Sequence, residues 1–294
     1  MPLAFRSTAA RVAVLAVLAG AAYAVPALGS SSSGVDPAAA KLVPASVKAM
    51  GTITIASDAT YAPNEFIGSN GHTVVGMDAD LANAIFPLLG LKINIENVTF
   101  DDIIPGLSSG KYQVGISSFT DDKAREKVVN FVDYFYAGTS FFEKTVGGPK
   151  ITNLDSICGL AVSVESGTTE QTDAQNQRAK CTKQHKTADT VLSFPTQSGA
   201  NLALASGHAQ VAMADSPVAA YQVRLSKGQF KLVGQSYGVA PYGIAVPKSE
   251  GTLDQAILVG LKDIIKDGKY HAILAKWGLT SEADTTPKIN GAIF

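Results

Sequence analysis

One stretch of the chain contains the residue types that bind a small carboxylate. It runs from Gly115 to Tyr136 and reads GISSFTDDKAREKVVNFVDYFY. Ser118 and Thr120 are predicted on a loop after a short strand, and Arg125 in the first turns of a helix. Hydroxyl groups, free backbone N–H groups and a guanidinium that converge on one point suit such an anion. Ordinary turn chemistry followed by a solvated arginine is the alternative interpretation.

Two further groups of polar residues could face the same ligand. Thr168 and Thr169 follow Gly167 and open a predicted helix, where free backbone N–H groups favour an anion. Plain N-capping by threonine is a second interpretation, compatible with the first. Asp215 ends the predicted apolar strand 210–214, at the strand end that faces the cleft in open α/β sheets. Its carboxylate could pair with an ammonium group, and capping of the next helix is the alternative.

The composition excludes several classes of function. The chain has 294 residues, of which 46% are hydrophobic, enough for about two domains. The formal net charge is −1, and no basic stretch with interleaved aromatic residues occurs, so nucleic acid binding is not expected. The four histidines are scattered along the chain. The sequence therefore predicts no metal site, and nothing in it suggests a cofactor.

The first 29 residues are predicted to be a signal peptide. Arg6 and Arg11 precede an apolar run over residues 12–22, which a small-x-small cleavage motif follows. This segment contains no cysteine for a lipoprotein anchor. A retained transmembrane anchor is the alternative interpretation. Either way the bulk of the chain is predicted to lie outside the cytoplasm, with residues 30–50 as a linker and lead-in segment.

The two cysteines fit an extracytoplasmic location. Cys158 and Cys181 are the only thiols of the chain. An isolated pair in an exported protein most often forms a disulfide. We therefore predict a disulfide between them.

Strand-like runs alternate with runs of helical periodicity, which predicts an α/β fold with mainly parallel sheets. The clearest unit is a strand over 52–56 followed by a helix over about 78–89, with Asp78 as its N-cap. Later in the chain, separate strands are predicted over 230–233 and 242–246.

Seven segments between residues 51 and 279 carry a family resemblance. In chain order they are SDATYAPNEF (57–66), VVGMDADLANAI (74–85), FDDIIPGLSSGKYQVGISSFT (100–120), VESGTTE (164–170), QVAMADSPVAAY (210–221), YGIAVPKSEGTLDQAI (242–257) and DGKYHAILAKWG (267–278). Together they resemble the polar amino acid solute-binding proteins of ABC importers, the family-3 extracellular binding proteins.

The resemblance implies a two-lobed periplasmic-binding-protein type II fold. Two mixed, mainly parallel sheets flanked by helices would be joined by two hinge strands, with the ligand in the cleft. Lobe 1 would comprise residues 51–140 and 246–294, and lobe 2 would comprise residues 148–241. Residues 141–147 and 242–245 would be the hinge strands, and the cleft would close by hinge motion.

The resemblance also implies how the ligand's head group is held. Arg125 is similar to the arginine that pairs with the ligand carboxylate through two hydrogen bonds. Thr120 and Thr169 would add contacts to that carboxylate. Ser118 and Asp215 would receive the ligand ammonium, because burial of a zwitterion requires both charges to be paired.

Four residues are implied at the side-chain end of the ligand. Tyr61 would stack on the ligand and Phe100 would form an apolar wall, with core packing as the alternative for both. Asp58 and Glu165 would suit a cationic or amide tail, and solvent exposure of Glu165 is an open alternative. Many relatives have a phenylalanine where this chain has Asn64, which leaves the side-chain preference open.

The implied function is binding without catalysis. The protein would capture a polar amino acid, basic and amide side chains included, and deliver it as a monomer to an ABC importer permease. A cyclohexadienyl or arogenate-type dehydratase on the same scaffold is the first alternative, with Asp58 and Glu165 as general acids. A ligand sensor acting in trans is the second. The pairing of a complete amino acid head group by Arg125 and Asp215 favours binding.

Overall fold

The structure is a computed structural model that describes residues 34–294. The predicted signal peptide and the start of the predicted linker lie outside these residues. Among the helices of the described part, none combines the length and the apolarity that a membrane span requires.

The described residues form nine α-helices. They are α1 (Pro37–Leu42), α2 (Ala45–Met50), α3 (Met77–Ile85), α4 (Phe100–Ser108), α5 (Thr169–Lys183), α6 (Gln197–Ser206), α7 (Ser216–Leu225), α8 (Leu253–Lys266) and α9 (Lys269–Trp277). The same residues form eleven strands. They are β1 (Thr52–Ser57), β2 (Thr60–Tyr61), β3 (Glu65–Ile67), β4 (Val74–Val75), β5 (Lys92–Asn97), β6 (Val114–Thr120), β7 (Val129–Lys144), β8 (Ala161–Glu165), β9 (Thr190–Phe194), β10 (Val211–Asp215) and β11 (Phe230–Pro247).

Eight strands form one hydrogen-bonded sheet in the order β5-β1-β6-β11-β7-β10-β8-β9. Strands β5, β1 and β6 are parallel and form the first half of the sheet, and β10, β8 and β9 are parallel and form the second half. Strands β7 and β11 run antiparallel to each other and to the adjacent strands β6 and β10. The predicted α/β architecture with mainly parallel pairing is confirmed. Strand β11 pairs with β6 of the first half, β7 pairs with β10 of the second half, and β7 and β11 pair with each other. The two halves are therefore parts of one hydrogen-bonded sheet.

The long strands differ in detail from the sequence analysis. The separate strands predicted over 230–233 and 242–246 are parts of β11, which has 18 residues. Its pairing with β7 shifts register on both sides of Tyr237. Most of β7 was not predicted as a strand. Its residues are nearly all buried, and a strand buried on both faces lacks the alternation that marks a half-exposed strand.

Asp78 is not the N-cap of α3, so this prediction was wrong. Gly76 precedes the helix with φ 134°, and a side chain there would collide with the carbonyl of Asn64. Asp78 lies inside the first turn and is fully buried. Its carboxylate accepts hydrogen bonds from the Ser118 N–H (2.8 Å) and the Tyr134 hydroxyl (2.7 Å). Aspartate is favourable both as a cap and in a first turn, so the sequence could not separate the two positions.

Cys158 and Cys181 form a disulfide, as predicted. It joins the segment before β8 to α5, a polar helix that buries only four of its 15 residues. Because a helix with so few apolar contacts gains little from packing, the covalent link is a major constraint on α5.

Replacing Cys158 and Cys181 by alanine should lower the free energy of unfolding by about 3 kcal/mol, the chain-entropy contribution of a loop of this length. Urea unfolding of the oxidised proteins measures the difference. Reductant should destabilise the wild type to a similar extent and leave the double variant unchanged. Equal stability of oxidised and reduced wild type would contradict the expectation.

Candidate ligand-binding site

One cavity collects the ten residues predicted to contact the ligand. It lies where the carboxyl ends of β1 and β6 meet those of β8 and β10. Its lining consists of Asp58, Tyr61, Glu65, Phe100, Ser117, Ser118, Thr120, Arg125, Glu165, Thr168, Thr169, Glu170 and Asp215. The void at its centre is about 10 Å³, room for the centre of one water molecule.

Arg125 is held by backbone carbonyls at the junction of the two halves. It lies in one turn of 3-10 helix, where sequence analysis predicted a longer helix. Its Nη1 donates to the Thr120 carbonyl and its Nη2 donates to the Gly167 carbonyl, and each donor–acceptor distance is 2.9 Å. Its Nε lies 3.5 Å from an Asp122 oxygen, and the guanidinium lies over the Phe100 ring. The guanidinium is thus fixed in position, with the β6 end on one side and the loop before α5 on the other.

The N-terminus of α5 contributes to the same cavity. Thr168 is its N-cap, and the Thr168 hydroxyl accepts from the Gln171 N–H (3.2 Å) and donates to the Glu165 carbonyl (2.8 Å). The backbone N–H groups of Thr169 and Glu170 have no acceptor within the described chain. Such groups at the start of a 15-residue helix favour a negatively charged ligand. Capping and anion binding are therefore compatible here.

Asp215 and Tyr61 join the two sides of the cavity. The Tyr61 hydroxyl donates to Asp215 Oδ2 (2.9 Å) and accepts from the Asp215 N–H (3.1 Å). Asp215 precedes α7, but its side chain makes no capping hydrogen bond. Burial, and then the negative charge of Glu170, raise the pKa of Asp215 well above its ordinary value. A cation beside Asp215 would offset both effects.

Asp58 and Glu165 are both buried. Asp58 Oδ1 accepts from the backbone and hydroxyl of Thr60, and Oδ2 accepts from the Phe100 N–H (3.0 Å). Glu165 Oε1 accepts from the Gln197 N–H (3.0 Å). Glu165 is only 2% exposed, so the solvent-exposed alternative is wrong. Burial raises the pKa of both carboxyl groups, and the neighbouring Asp58 further raises the pKa of Glu165.

Ser118 and Thr120 lie in the last part of β6, where sequence analysis expected a loop. Ser118 has a φ of 49°, an uncommon value for a residue other than glycine. Its hydroxyl donates to Glu65 (3.2 Å) and accepts from the Asn64 amide (2.9 Å). Ser118 thus lines the cavity while its hydroxyl contacts a buried acidic network of Glu65 and Asp78.

Residues 53–280 match the bacterial extracellular solute-binding proteins, family 3. The chain belongs to this family. An arginine-binding protein from Corynebacterium glutamicum is 33% identical over 239 residues, 81% of this chain and 78% of that protein. Two solved structures of an ancestral arginine-binding protein are each 35% identical and cover 77% of this chain. One is bound to arginine (TM-score 0.70, 98% of its chain) and the other to glutamine (TM-score 0.71, 97% of its chain).

Membership of this family confirms the resemblance drawn from the seven segments. It also confirms the two-lobed fold and the function of the chain as an extracellular solute-binding protein. The cavity lies between the two halves of the sheet.

Sequence analysis missed three lining residues of this solute-binding protein. Glu170 accepts from the Thr139 hydroxyl (2.8 Å), and Ser117 donates to Glu65 (3.0 Å). Glu170 directly follows Thr169, and Ser117 directly precedes Ser118, so widening each motif by one residue would have found them. Nothing in the spacing of Glu65 distinguished it from a surface glutamate.

The charge of the cavity is strongly unbalanced. Its lining contains one guanidinium, that of Arg125, and five carboxyl groups, those of Asp58, Glu65, Glu165, Glu170 and Asp215. Five ionised carboxylates in so small a space would repel one another at high cost. The site therefore favours a ligand that supplies positive charge.

Glu65 and Asp78 meet below the cavity, and burial raises the pKa of Glu65 well above its ordinary value and that of Asp78 to about 6. Stability that depends on these protons is lost as the pH rises through the raised pKa values. The wild type should therefore lose stability relative to Glu65→Gln as the pH rises from 5 to 7.5.

Urea unfolding of the ligand-free proteins at the two pH values tests this expectation. Glu96→Gln, at an exposed glutamate, is the matched control and should show no pH-dependent difference. The same offset between Glu65→Gln and the wild type at both pH values would contradict it.

Proposed function

We propose that this solute-binding protein captures a basic amino acid, arginine first among them, and delivers it to the permease of an ABC importer. The observation that carries the proposal is the presence of five carboxyl groups around one guanidinium in a buried cavity. A zwitterion with a neutral side chain brings no net charge to this site, whereas a basic amino acid brings one positive charge. The arginine-binding relatives support the same ligand class.

The head group would be held at the Arg125 end of the cavity. The ligand carboxylate would replace the Gly167 carbonyl on Nη2 and accept from the free N–H groups of Thr169 and Glu170. Thr120 lies beside this position. The ammonium would pair with Asp215, which accepts a hydrogen bond from the Tyr61 hydroxyl and forms no salt bridge within the described residues.

The side chain would extend toward Asp58 and Glu165. The Glu165 and Asp58 carboxyl groups lie within hydrogen-bonding reach of each other, so a guanidinium or ammonium could bind to both. Tyr61 and Phe100 would flank the aliphatic part, and Ser118 would add a polar contact near the ammonium. This arrangement pairs each charge of the ligand with an opposite charge.

The lobes would separate to admit the ligand. We propose lobe 1 as residues 51–140 and 246–294, lobe 2 as residues 148–241, and the hinge in β7 and β11. Opening would break contacts that bridge the lobes, among them the Arg125 bond to Gly167, the Tyr61 bond to Asp215 and the Gln197 N–H bond to the Thr60 hydroxyl. Closure around the ligand would create the form that the permease recognises.

We further propose export by a cleaved signal peptide over residues 1–29, a monomeric mature protein, and no enzymatic activity. Asp58 and Glu165, the general acids of the alternative, are both assigned to the side chain of a bound amino acid, which leaves neither for acid catalysis. Prephenate and arogenate therefore belong in the ligand screen as the substrates of the alternative dehydratase activity.

Calorimetric titration of residues 30–294 with arginine, lysine, ornithine, histidine and glutamine tests the proposal. We expect arginine to bind most tightly of these. Arg125→Ala should weaken binding at least about thirtyfold, because it leaves a buried carboxylate of the ligand unpaired. Arg178→Ala, at an exposed arginine, is the matched control and should bind like the wild type. Turnover of prephenate or arogenate without amino acid binding would overturn the proposal.

Glu165→Gln should reduce discrimination between basic and neutral amino acids. The variant removes a charged acceptor and retains the shape of the side chain, so arginine affinity should fall about tenfold relative to glutamine affinity. The ratio of the two dissociation constants is the measurement, with Glu96→Gln as control. An unchanged ratio would place the cationic end of the ligand away from Glu165.

A further inference from the structure

Two carboxyl groups with no hydrogen-bond partner lie under the loop that carries Arg125. Asp121 directly follows Thr120, and Asp133 lies on the adjacent strand β7. Both residues are fully buried. None of their four carboxylate oxygens has a hydrogen-bond partner of ordinary geometry among the described residues. The Gly291 N–H and the Glu126 carboxyl group lie close to Asp121. The two carboxyl groups lie within hydrogen-bonding reach of each other.

A segment near the end of the chain covers this pair. This strap (residues 283–294) crosses β7, where the Asp133 N–H donates to the Lys288 carbonyl (2.9 Å). Beyond β7 it reaches the Arg125 loop, and the Lys123 N–H donates to the Phe294 carbonyl (2.9 Å). A side chain at Gly291 would collide with the carboxyl group of Asp133. The pair is thus enclosed between β7, the strap and the loop.

The charges around the pair do not neutralise it. Glu126 and Lys123 face Asp121 from the loop, and Asp284 and Lys288 face Asp133 from the strap. The Tyr136 hydroxyl lies on the same side. Within the described residues, neither Asp121 nor Asp133 has a basic group close enough for a salt bridge, under 4.0 Å. A single proton shared between the two carboxyl groups would give both a partner.

We propose that Asp121 and Asp133 share one proton, and that this proton positions the loop from Thr120 to Arg125 for ligand binding. Both aspartates are positioning residues, because they act through Arg125 and do not line the cavity. The inference rests on the proposed function of Arg125 as the carboxylate ligand. It adds a dependence of affinity on external pH.

The direction of that dependence follows from the two ionisations. Burial raises the pKa of Asp121 to about 6, and burial together with Asp121 raises the pKa of Asp133 to about 8. The pair therefore carries one proton near neutral pH and loses it above about pH 8. Two buried anions would then repel each other beneath the loop, and Arg125 would leave its ligand-binding position. Binding should weaken as the pH rises, by up to about tenfold per pH unit for one linked proton.

The first test compares the arginine affinity of the wild type and Asp121→Asn between pH 6 and pH 9.5. An amide at position 121 can donate to ionised Asp133 without a shared proton, so the variant should lack the steep loss above pH 8. Titration of the amino acid itself and of the cavity carboxyl groups affects both proteins equally. Asp263→Asn is the matched control. It replaces one member of a second carboxyl pair, in which Asp263 lies on α8 and Asp36 is the N-cap of α1.

Two outcomes overturn the inference. One is parallel pH profiles for the wild type and Asp121→Asn, and the other is the same change in profile for Asp263→Asn. If the wild type binds none of the amino acids, the proposed function fails, and a ligand-free measurement decides the inference. The NMR signal of Arg125 Nε should then shift with a midpoint near pH 8 in the wild type and show no such step in Asp121→Asn. An Arg125 Nε signal that does not change with pH in either protein would refute the shared proton.

Discussion

The buried guanidinium of Arg125 is the interaction on which the rest of the site depends. It bridges the end of β6 and the loop before α5, and so joins the two halves of the sheet at one point. Around it lie carboxyl groups that would destabilise the fold if all were ionised together. The protein tolerates this excess of acid because hydroxyl and backbone N–H groups donate hydrogen bonds to the carboxyl groups. The raised pKa values also reduce the number of carboxyl groups that are ionised together. The same excess gives the cavity its preference for positive charge.

Much of the fold followed from the sequence because its signals were local. Alternating strands and helices were recognisable from periodicity, and the motifs around Arg125, Thr168 and Asp215 lie at strand ends or helix starts. All ten predicted residues reach one cavity for that reason. Their roles toward a ligand stay a prediction.

The features that escaped prediction depend on distant contacts. Strand β7 is buried on both faces, so its sequence lacks alternation. The local sequence predicts Asp78 as a cap because its partners, Ser118 and Tyr134, lie 40 and 56 positions away. Glu65 was missed because its partners lie on β6. In each case tertiary burial overrode a local pattern.

The small size of the void has a kinetic consequence. The cavity has room for the centre of about one water molecule and so cannot hold an amino acid as it stands, and each capture must follow a separation of the lobes. If the bridged form predominates in the free protein, the observed rate of capture will rise with ligand concentration only up to the rate of opening. The contacts of Arg125 with Gly167 and of Tyr61 with Asp215 then limit the rate of opening. They set how fast the protein can respond to a sudden supply of nutrient, independently of how tightly it finally holds it.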